Sequence, residues 1–432
     1  MNILIMGTGY VGVTTGLVFT ELGWNVIGLD PDHNKTASLS QGELTFYEPG
    51  LDTLLRKHIE SGRIRFTSDP EIAVRESNVI FLCVGTPSDK DGSADLRFIR
   101  QASESIGQFM QDYKLIAVKS TVPIGTNKQL NQWITDAQTL PIPFDVVSNP
   151  EFLREGSALN DAFHPDRIII GCDSDQAIDL MKTLYEKIRA PFFVTKPKTA
   201  EMIKYASNAF LATKISYVNE LSRLCENIEV NISDVAEGMG MDHRIGQHFL
   251  RAGIGYGGSC FPKDIKAMLY MAKQYGAELS ILDKVIQVNQ TQYSHFLKVW
   301  EQKLGTFRNK KIAILGISFK PDTDDLREAP SISIIQHLLQ IGATVRVHDP
   351  AAKLPSDLLS DRLEQVDRLE ETLEQCDALI LCSEWEQYKK ADWVQLKAYM
   401  NQHFVFDGRN VLDGNHMTKL GFHYYGIGRH YH

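Results

Sequence analysis

The stretch of the chain richest in reactive groups surrounds one cysteine. The run Gly257-Gly258-Ser259-Cys260-Phe261-Pro262-Lys263-Asp264 places a thiol within four residues of a cation and a carboxylate. The thiolate is the nucleophilic form of cysteine, and a neighbouring cation such as Lys263 favours it. The preceding glycines allow a ligand to approach the backbone closely. The alternative is an inert, buried cysteine, and the spacing alone does not exclude it.

Two further groups of side chains can support chemistry at a thiol. Lys204 and Asn208 are four residues apart in a segment with helical patterning, so both lie on one helix face and can stabilise an oxyanion. Glu151 and Glu155 lie in a segment bounded by proline and glycine, where a carboxylate can activate water. The alternatives are surface residues for the first pair and dipole-favoured acids in the first turn of a helix for the second.

The N-terminal motif Gly7-Thr-Gly9-Tyr-Val-Gly12 predicts a dinucleotide site. It follows a strand and opens a helix, and Asp30 ends the next strand, 18 residues after Gly12. The first glycine permits the tight turn, the second admits the pyrophosphate, and the third lets helix and strand pack closely. Asp30 can accept hydrogen bonds from a ribose 2′-hydroxyl and would repel a 2′-phosphate, which favours NAD over NADP. A flavin site or a degenerate turn is the alternative.

Three other residues are candidates for the same crevice. Lys35 is either a cofactor contact or a solvated lysine. Thr86 and Thr121 follow predicted strands, and the carboxyl ends of strands line the ligand crevice of a doubly wound sheet. Either threonine can instead, or in addition, cap a following helix. A nicotinamide cofactor beside the thiol suits oxidation of an aldehyde through a thiohemiacetal and a thioester.

Strands and helices that would position these groups can be read along the chain. The predicted strands of the first half are Asn2–Met6, Asn25–Leu29, Asn78–Val84, Leu115–Val118 and Phe144–Val147. Helical patterns separate them, which predicts a doubly wound parallel sheet. Helical patterning then dominates residues 199–300, with long helices at Ala200–Cys225 and Ser280–Trp300 on either side of the loop Gly253–Gly258.

An internal repeat predicts a second sheet. The segments that begin at Lys311, Thr344 and Cys376 match those that begin at Asn2, Asn25 and Ser77, in the same order. The predicted fold is therefore α/β, with two Rossmann-like domains joined by a central helical region. Its divisions are residues 1–198, 199–300 and 301–432. The second domain keeps Gly316 but lacks the other fingerprint glycines, so it should not bind a dinucleotide in the same way.

The amino-acid composition disfavours several classes of function. The net charge is −9 without a long basic run, which disfavours nucleic acid and anionic membranes as partners. No apolar run approaches the length of a membrane span, and the N-terminus lacks the features of a signal peptide. The six cysteines form no Cys-x-x-Cys pair, which favours a cytoplasmic location and predicts no structural metal.

These motifs together resemble the UDP-glucose/GDP-mannose dehydrogenase family, essentially from end to end. The resemblance rests on Gly7–Gly12, Val84–Pro87, Lys119–Pro123, Asn149–Gly156, Glu201–Phe210, Gly255–Asp264, Phe319–Glu328 and Phe406–Asn410. It implies oxidation of the C6 alcohol of UDP-glucose to the carboxylate of UDP-glucuronate, with successive reduction of two NAD and a covalent intermediate on Cys260. The Cys260 loop resembles the UDP-glucose group most. Sister activities on GDP-mannose, UDP-N-acetylmannosamine or UDP-N-acetylglucosamine remain open, as does a non-catalytic nucleotide-sugar-binding protein.

The resemblance also implies roles for individual residues. Lys204 and Asn208 would stabilise the oxyanion, Asp264 and Thr121 would position water, and Glu151 would serve thioester hydrolysis. With the fingerprint residues included, the predicted cofactor contacts are Gly7, Gly9, Tyr10, Val11, Gly12, Asp30, Lys35, Thr86, Thr121, Glu155, Lys263 and Arg327. The predicted substrate contacts are Glu151, Phe152, Leu153, Lys204, Asn208, Arg244, Tyr256, Gly257, Phe319, Lys320 and Arg409. Arg244 would reach the site of a neighbouring subunit, and the central helices would form a homodimer interface.

Overall fold

The computed structural model describes residues 1–430 and contains two sheets separated in sequence by four helices. The strands of the first sheet are Asn2–Met6 (β1), Asn25–Leu29 (β2), Ile64–Thr67 (β3), Val79–Leu82 (β4), Lys114–Val118 (β5), Phe144–Ser148 (β6), Ile168–Gly171 (β7) and Phe192–Thr195 (β8). They lie in the order β3-β2-β1-β4-β5-β6-β7-β8. Neighbouring strands are parallel except β6 and β7, which are antiparallel.

Helices connect these strands. They are Tyr10–Glu21 (α1), His33–Ser40 (α2), Leu51–Glu60 (α3), Pro70–Arg75 (α4), Arg97–Phe109 (α5), Thr126–Ala137 (α6), Ala158–Phe163 (α7) and Asp175–Leu184 (α8). Strand β1 shows why the sheet needs cover on both faces. Ile3 and Ile5 pack into one apolar core, whereas Leu4 and Met6 pack into another, because successive side chains of a strand point to opposite faces.

The central segment is helical, as the sequence predicts. Its helices are Pro197–Ile228 (α9), Ile232–Gly240 (α10), Phe261–Gln274 (α11) and Ser280–Leu304 (α12). The loop between α10 and α11 carries Cys260. None of the helices within residues 1–430 combines the length and the apolar character needed to cross a membrane.

The second sheet repeats the topology of the first. Its strands are Lys311–Leu315 (β9), Thr344–His348 (β10), Leu363–Gln365 (β11), Ala378–Leu381 (β12), Phe404–Asp407 (β13) and His423–Gly426 (β14). Its α-helices are Pro330–Gln340 (α13), Leu369–Leu373 (α14), Glu386–Lys389 (α15), Trp393–Lys397 (α16) and Gly414–Lys419 (α17), with a 3₁₀ turn at Ser356–Leu358. The strand order β11-β10-β9-β12-β13-β14 matches the first six strands of the other sheet. The predicted α/β fold with two parallel sheets is confirmed.

The repeat extends to hydrogen bonding at the end of the second strand. Asp30 follows β2 and accepts hydrogen bonds from the backbone and hydroxyl of Thr8, in the turn after β1. Asp349 follows β10 and accepts from the backbone of Ile317 and Ser318, in the turn after β9. Asp30 and Asp349 therefore secure the same turn in each sheet.

The chain divides into two compact units. One comprises Met1–Ser207 and Lys266–Glu278, and the other comprises Asn208–Ile265 and the chain from Leu279 onward. Both units take residues from α9 and from α11. The division into three regions at residues 198 and 300 stays a prediction.

Candidate active-site residues

The glycine turn after β1 is closed on one side and open on the other. Gly7 has φ +92°, and a Cβ there would lie 2.8 Å from the carbonyl oxygen of Cys83. A Cβ on Gly12 would lie 1.9 Å from the carbonyl oxygen of Gly7. Gly9 is the N-cap of α1, and a Cβ there would have no atom within 4 Å. The turn therefore packs tightly against the sheet and leaves free space at the helix N-terminus, which fits a pyrophosphate.

Asp30 is positioned as a ribose-binding carboxylate. It is buried at the end of β2, and its Oδ2 accepts from Thr8 N at 2.9 Å and from Lys35 Nζ at 2.9 Å. Burial alone would raise the pKa of Asp30, but hydrogen bonds from Lys35, Thr8 and Asp32 lower that pKa below its ordinary value. The carboxylate is thus ionised and oriented, and Lys35 is not a freely solvated lysine.

Glu48 connects the fingerprint to the loop between β6 and α7, and sequence analysis missed it. Its buried carboxylate accepts from Gly156 N at 2.6 Å, from Ala158 N at 2.7 Å and from the hydroxyl of Tyr10. Burial, followed by the hydrogen bond to Glu48, raises the pKa of Tyr10. The sequence around Glu48 reads as a Pro-Gly turn, and nothing local to it indicates a buried acid.

Thr86 and Thr121 lie in the loops after β4 and β5 and contact each other. The Thr86 hydroxyl donates to the Thr121 carbonyl at 2.8 Å. The helix-capping alternative is wrong for both, because α5 begins after Leu96 and α6 begins after Gly125. The two strand ends are instead joined directly.

Glu151 and Lys204 form a buried ion pair. Lys204 Nζ lies 2.9 Å from Glu151 Oε1, and Glu151 Oε2 accepts from Leu153 N at 2.6 Å. The ring of Phe152 lies 5.2 Å from Lys204 Nζ, and Thr121 lines the same small cavity as Lys204. The sequence assigned the lysine and the carboxylate to separate steps, whereas the structure pairs them.

The acids of this loop do not belong to a helix. Glu151 and Glu155 precede α7, which begins at Ala158, so the first-turn alternative is wrong. Lys119 begins the Lys119–Pro123 motif, and no role was predicted for it. Its Nζ donates to Asn149 Oδ1 at 3.3 Å. Burial lowers the pKa of Lys119.

Cys260 differs from the other cysteines in its exposure. It is half-buried, whereas the remaining five cysteines of residues 1–430 are buried. Burial raises the pKa of Cys83 and of Cys382 to about 12, which keeps those thiols protonated. Cys260 directly precedes α11, and its carbonyl accepts from Asp264 N at 2.9 Å. The thiol-bearing residue therefore stands at a helix N-terminus, which stabilises negative charge.

Asp264 is buried between two donors. Asn208 Nδ2 donates to its Oδ2 at 2.6 Å, and Lys263 Nζ donates to its Oδ1 at 2.6 Å. The charge of Lys263 is thus paired with Asp264, the next residue of α11. Lys263 is therefore not available to the Cys260 thiolate alone.

Arg409 is bound to the backbone of three loops. Its guanidinium donates to the carbonyls of Cys382 at 2.8 Å, Gly255 at 3.0 Å and Phe319 at 2.9 Å. The solvated-cation alternative is wrong for Arg409. Lys320 Nζ lies 5.3 Å from the ring of Phe319.

The glycines before Cys260 are tightly packed. A Cβ on Gly257 would lie 2.3 Å from the carbonyl oxygen of Glu328, and a Cβ on Gly258, with φ +84°, would lie 2.8 Å from the ring of Phe319. Tyr256 beside them is buried. The glycines are thus required by the protein's own packing, in addition to any contact with a ligand.

Arg244 and Arg327 are the exposed members of the predicted site. Each makes a two-pronged contact with a nearby acid, Arg244 with Asp242 and Arg327 with Asp325. Their predicted contacts with a neighbouring subunit and with the cofactor stay predictions.

A parallel sheet with a glycine turn and an acidic strand end is typical of dinucleotide-binding proteins, the class to which NAD-dependent dehydrogenases belong. Three family models match the chain in order. They are the NAD binding domain, the central domain and the UDP binding domain of the UDP-glucose/GDP-mannose dehydrogenase family, at residues 1–189, 198–291 and 313–414. The chain belongs to the UDP-glucose/GDP-mannose dehydrogenase family, and strands β1 to β7 lie within the family's NAD-binding domain.

Named relatives agree with this assignment. The chain is 42% identical over 430 residues to UDP-glucose 6-dehydrogenase TuaD of Bacillus subtilis, covering 99% of this chain and 93% of the relative. It is 39% identical over 436 residues to a UDP-glucose 6-dehydrogenase of Rhizobium meliloti, covering 99% and 100%. A solved UDP-glucose dehydrogenase from Pyrobaculum islandicum superposes with a TM-score of 0.92 at 38% identity, covering 99% and 98%.

Proposed function

We propose that this protein oxidises the C6 alcohol of UDP-glucose to the carboxylate of UDP-glucuronate, with two NAD reduced per sugar. The family match over all three domains supports a nucleotide-sugar substrate, and relatives about 40% identical along the whole chain are UDP-glucose dehydrogenases. The observation that carries the covalent part of the proposal is Cys260, the half-buried cysteine at the N-terminus of α11.

The chemistry divides into two oxidations and one hydrolysis. NAD supplies the hydride acceptor in each oxidation. In the first, the C6 alcohol becomes an aldehyde and releases a proton. The Cys260 thiol then adds to the aldehyde: its sulfur bonds to C6 as the C–O π bond breaks, and its proton passes to the oxygen. The resulting thiohemiacetal loses a hydride and a proton to become a thioester. Water cleaves the C–S bond, which releases the carboxylate and restores the thiol.

We assign Lys204 and Asn208 to the oxyanion that develops at C6. Each is buried and already hydrogen bonded, Lys204 to Glu151 and Asn208 to Asp264. Donors held by carboxylates are oriented before substrate arrives, so little reorganisation is needed during the reaction. Glu151, Asp264 and Thr121 are assigned to the hydrolytic water.

The remaining assignments concern binding. Phe319, Lys320 and Arg409 lie at loops after strands of the second sheet, where cations can meet a diphosphate. The predicted cofactor contacts of the first unit belong to the glycine turn, to the segment from Asp30 to Lys35, and to the loops after β4, β5 and β6. We place the reaction in the cytoplasm.

The proposal includes a homodimer formed through α9. Phe210, Tyr217 and Leu224 recur every seven residues along this helix and are 65%, 50% and 54% exposed. A heptad spacing of apolar side chains produces a continuous stripe suited to packing against another helix. Leu224→Asp should shift the protein towards monomer in sedimentation velocity, whereas Glu220→Asp on the same helix should not. A wild-type protein that sediments as a monomer at micromolar concentration would contradict the dimer.

One assay tests the activity. The protein is incubated with NAD and a panel of UDP- and GDP-sugars, and NADH is counted per sugar consumed. Two equivalents with UDP-glucose are expected. One equivalent, or no turnover with any sugar, would contradict the four-electron reaction, and two equivalents with another sugar alone would reassign the substrate. Cys260→Ala should abolish uronate formation while NAD binding is retained, and uronate formation at the wild-type rate would exclude the covalent role.

A further inference from the structure

The loop before Cys260 is buried although it has no regular secondary structure. Residues 252–258 are all buried, and they lie between α10 and α11. A buried backbone must find hydrogen-bond partners, because an unpaired amide or carbonyl away from water costs about 1–3 kcal/mol. Helices and sheets solve this internally, but this loop takes its partners from other parts of its own unit.

Three side-chain amides supply four of these hydrogen bonds. Asn289 on α12 accepts from Tyr256 N at 2.8 Å and donates to Tyr256 O at 3.0 Å, so one amide satisfies both backbone groups of that residue. Asn219 on α9 accepts from Gly253 N at 2.9 Å, and Gln292 on α12 donates to Gly253 O at 3.0 Å. The two ends of the Gly253–Tyr256 segment are therefore held by amides from two helices.

One of these amides, that of Gln292, is held in place by a further side chain. Asn219 and Gln292 are completely buried, and such amides are costly inside a protein unless they are hydrogen bonded. Gln292 Oε1 accepts from Arg223 Nε at 2.8 Å, and Arg223 also donates to Val288 O at 2.8 Å. Gln292 is thus fixed in orientation by bonds to both of its amide atoms, which is what holding a loop in one conformation requires.

We propose that Asn219, Asn289 and Gln292 are positioning residues that hold Gly253–Tyr256 in one conformation and thereby set the orientation of Cys260. The inference rests on the proposed covalent role of Cys260. Tyr256 is separated from Cys260 by Gly257, Gly258 and Ser259, and the two glycines are tightly packed. A shift of Tyr256 is therefore transmitted towards the thiol instead of being absorbed along the way.

The test uses two substitutions of Asn289 and one matched control in the full-length protein. Asn289→Leu has a similar size but makes neither hydrogen bond. Asn289→Asp keeps an acceptor for Tyr256 N, but its ionised carboxylate faces Tyr256 O, and protonation restores a donor there. Gln290→Leu removes an exposed amide from the adjacent position of α12.

Two readouts separate positioning from folding. The rate of Cys260 alkylation by iodoacetamide is measured by peptide mass spectrometry without substrate, and kcat and KM are measured for NAD and UDP-glucose. Asn289→Leu should change the alkylation rate and lower kcat at least ten-fold, with the KM for NAD within two-fold of wild type. Gln290→Leu should match wild type in both.

The pH profile of Asn289→Asp keeps the proposal falsifiable if Asn289→Leu does not fold. The kcat of this variant relative to wild type should rise several-fold as pH falls from 8 to 5, because protonation restores the bond to Tyr256 O. A ratio independent of pH would overturn the proposal, as would wild-type alkylation and kcat in Asn289→Leu. If Cys260→Ala remains active while Asn289→Leu still alters alkylation, the covalent role fails but the positioning of the thiol stands.

Discussion

Gly9 and Gly12 belong to one motif, but the structure predicts opposite consequences for the same substitution. A methyl group on Gly12 would lie 1.9 Å from the carbonyl oxygen of Gly7 and 3.2 Å from a side-chain carbon of Ile5. The first contact is with backbone, so α1 must move away from β1. Overpacking of a well-packed core costs about 1–3 kcal/mol, and a backbone clash places Gly12→Ala near 3 kcal/mol. At about 2–4 °C per kcal/mol for a domain of this size, its melting temperature should fall by roughly 6–12 °C.

Gly9→Ala should affect the cofactor and spare the fold. Gly9 has φ −77° and ψ −168°, which alanine adopts without strain, and no atom lies within 4 Å of the added methyl group. Alanine is a poorer helix N-cap than glycine, so we expect a loss below about 1 kcal/mol. The methyl group would occupy the space through which a pyrophosphate approaches the backbone, so NAD affinity should fall at least ten-fold, or about 1.4 kcal/mol.

Differential scanning calorimetry and isothermal titration with NAD measure the two effects on the same samples. The two substitutions serve as controls for each other, because each adds one methyl group to the same turn. Gly9→Ala protein that binds NAD with wild-type affinity would refute the account of the open helix terminus. Gly12→Ala protein that melts at the wild-type temperature would refute the packing argument.

Two acidic residues of the first unit give further predictions. The lowered pKa of Asp30 means that its stabilising effect is present above the ordinary pKa of about 3.9 and is lost as pH falls through the lowered value. Asp30→Asn should therefore be less stable than wild type at pH 7, with the difference lost as pH falls through the lowered pKa of Asp30, and its preference for NAD over NADP in titrations should fall at least ten-fold. Glu48→Gln should lose about 1–3 kcal/mol of unfolding free energy and exchange the amide hydrogen of either Gly156 or Ala158 faster, because one of the two backbone donors loses its acceptor. The exposed Glu43→Gln should change neither, and equal exchange in both variants would contradict the role of Glu48.

Much of the fold follows from local patterns in the sequence and could be predicted. Strands β1, β2, β4, β5 and β6 and helices α9 and α12 lie where apolar patterning predicted them, within a few residues. Strand β8, which was not predicted, is a largely apolar run of four residues whose two central side chains are exposed. The repeat was visible because each sheet uses the same turn after its first strand and the same aspartate after its second.

The candidate site was predictable as a set of residues but not as a set of contacts. Cys260, Lys204 and Asp264 were identified from residue type and motif. Their partners were not, because Glu151 is 53 residues from Lys204 and Asn208 is 56 residues from Asp264. No local pattern encodes such separations.

The sequence by itself therefore determined the class of protein and the NAD fingerprint, and it indicated Cys260 as the candidate thiol, since these depend on short motifs and on the alternation of apolar residues. Only the tertiary structure decided which cations are paired, that Arg409 is bound to three carbonyls, and that the glycines before Cys260 are tightly packed. The physical reason is that burial and hydrogen bonding depend on distant segments. The sequence does not distinguish a glycine that provides backbone flexibility from a glycine at a position where a neighbouring ring leaves no room for a side chain.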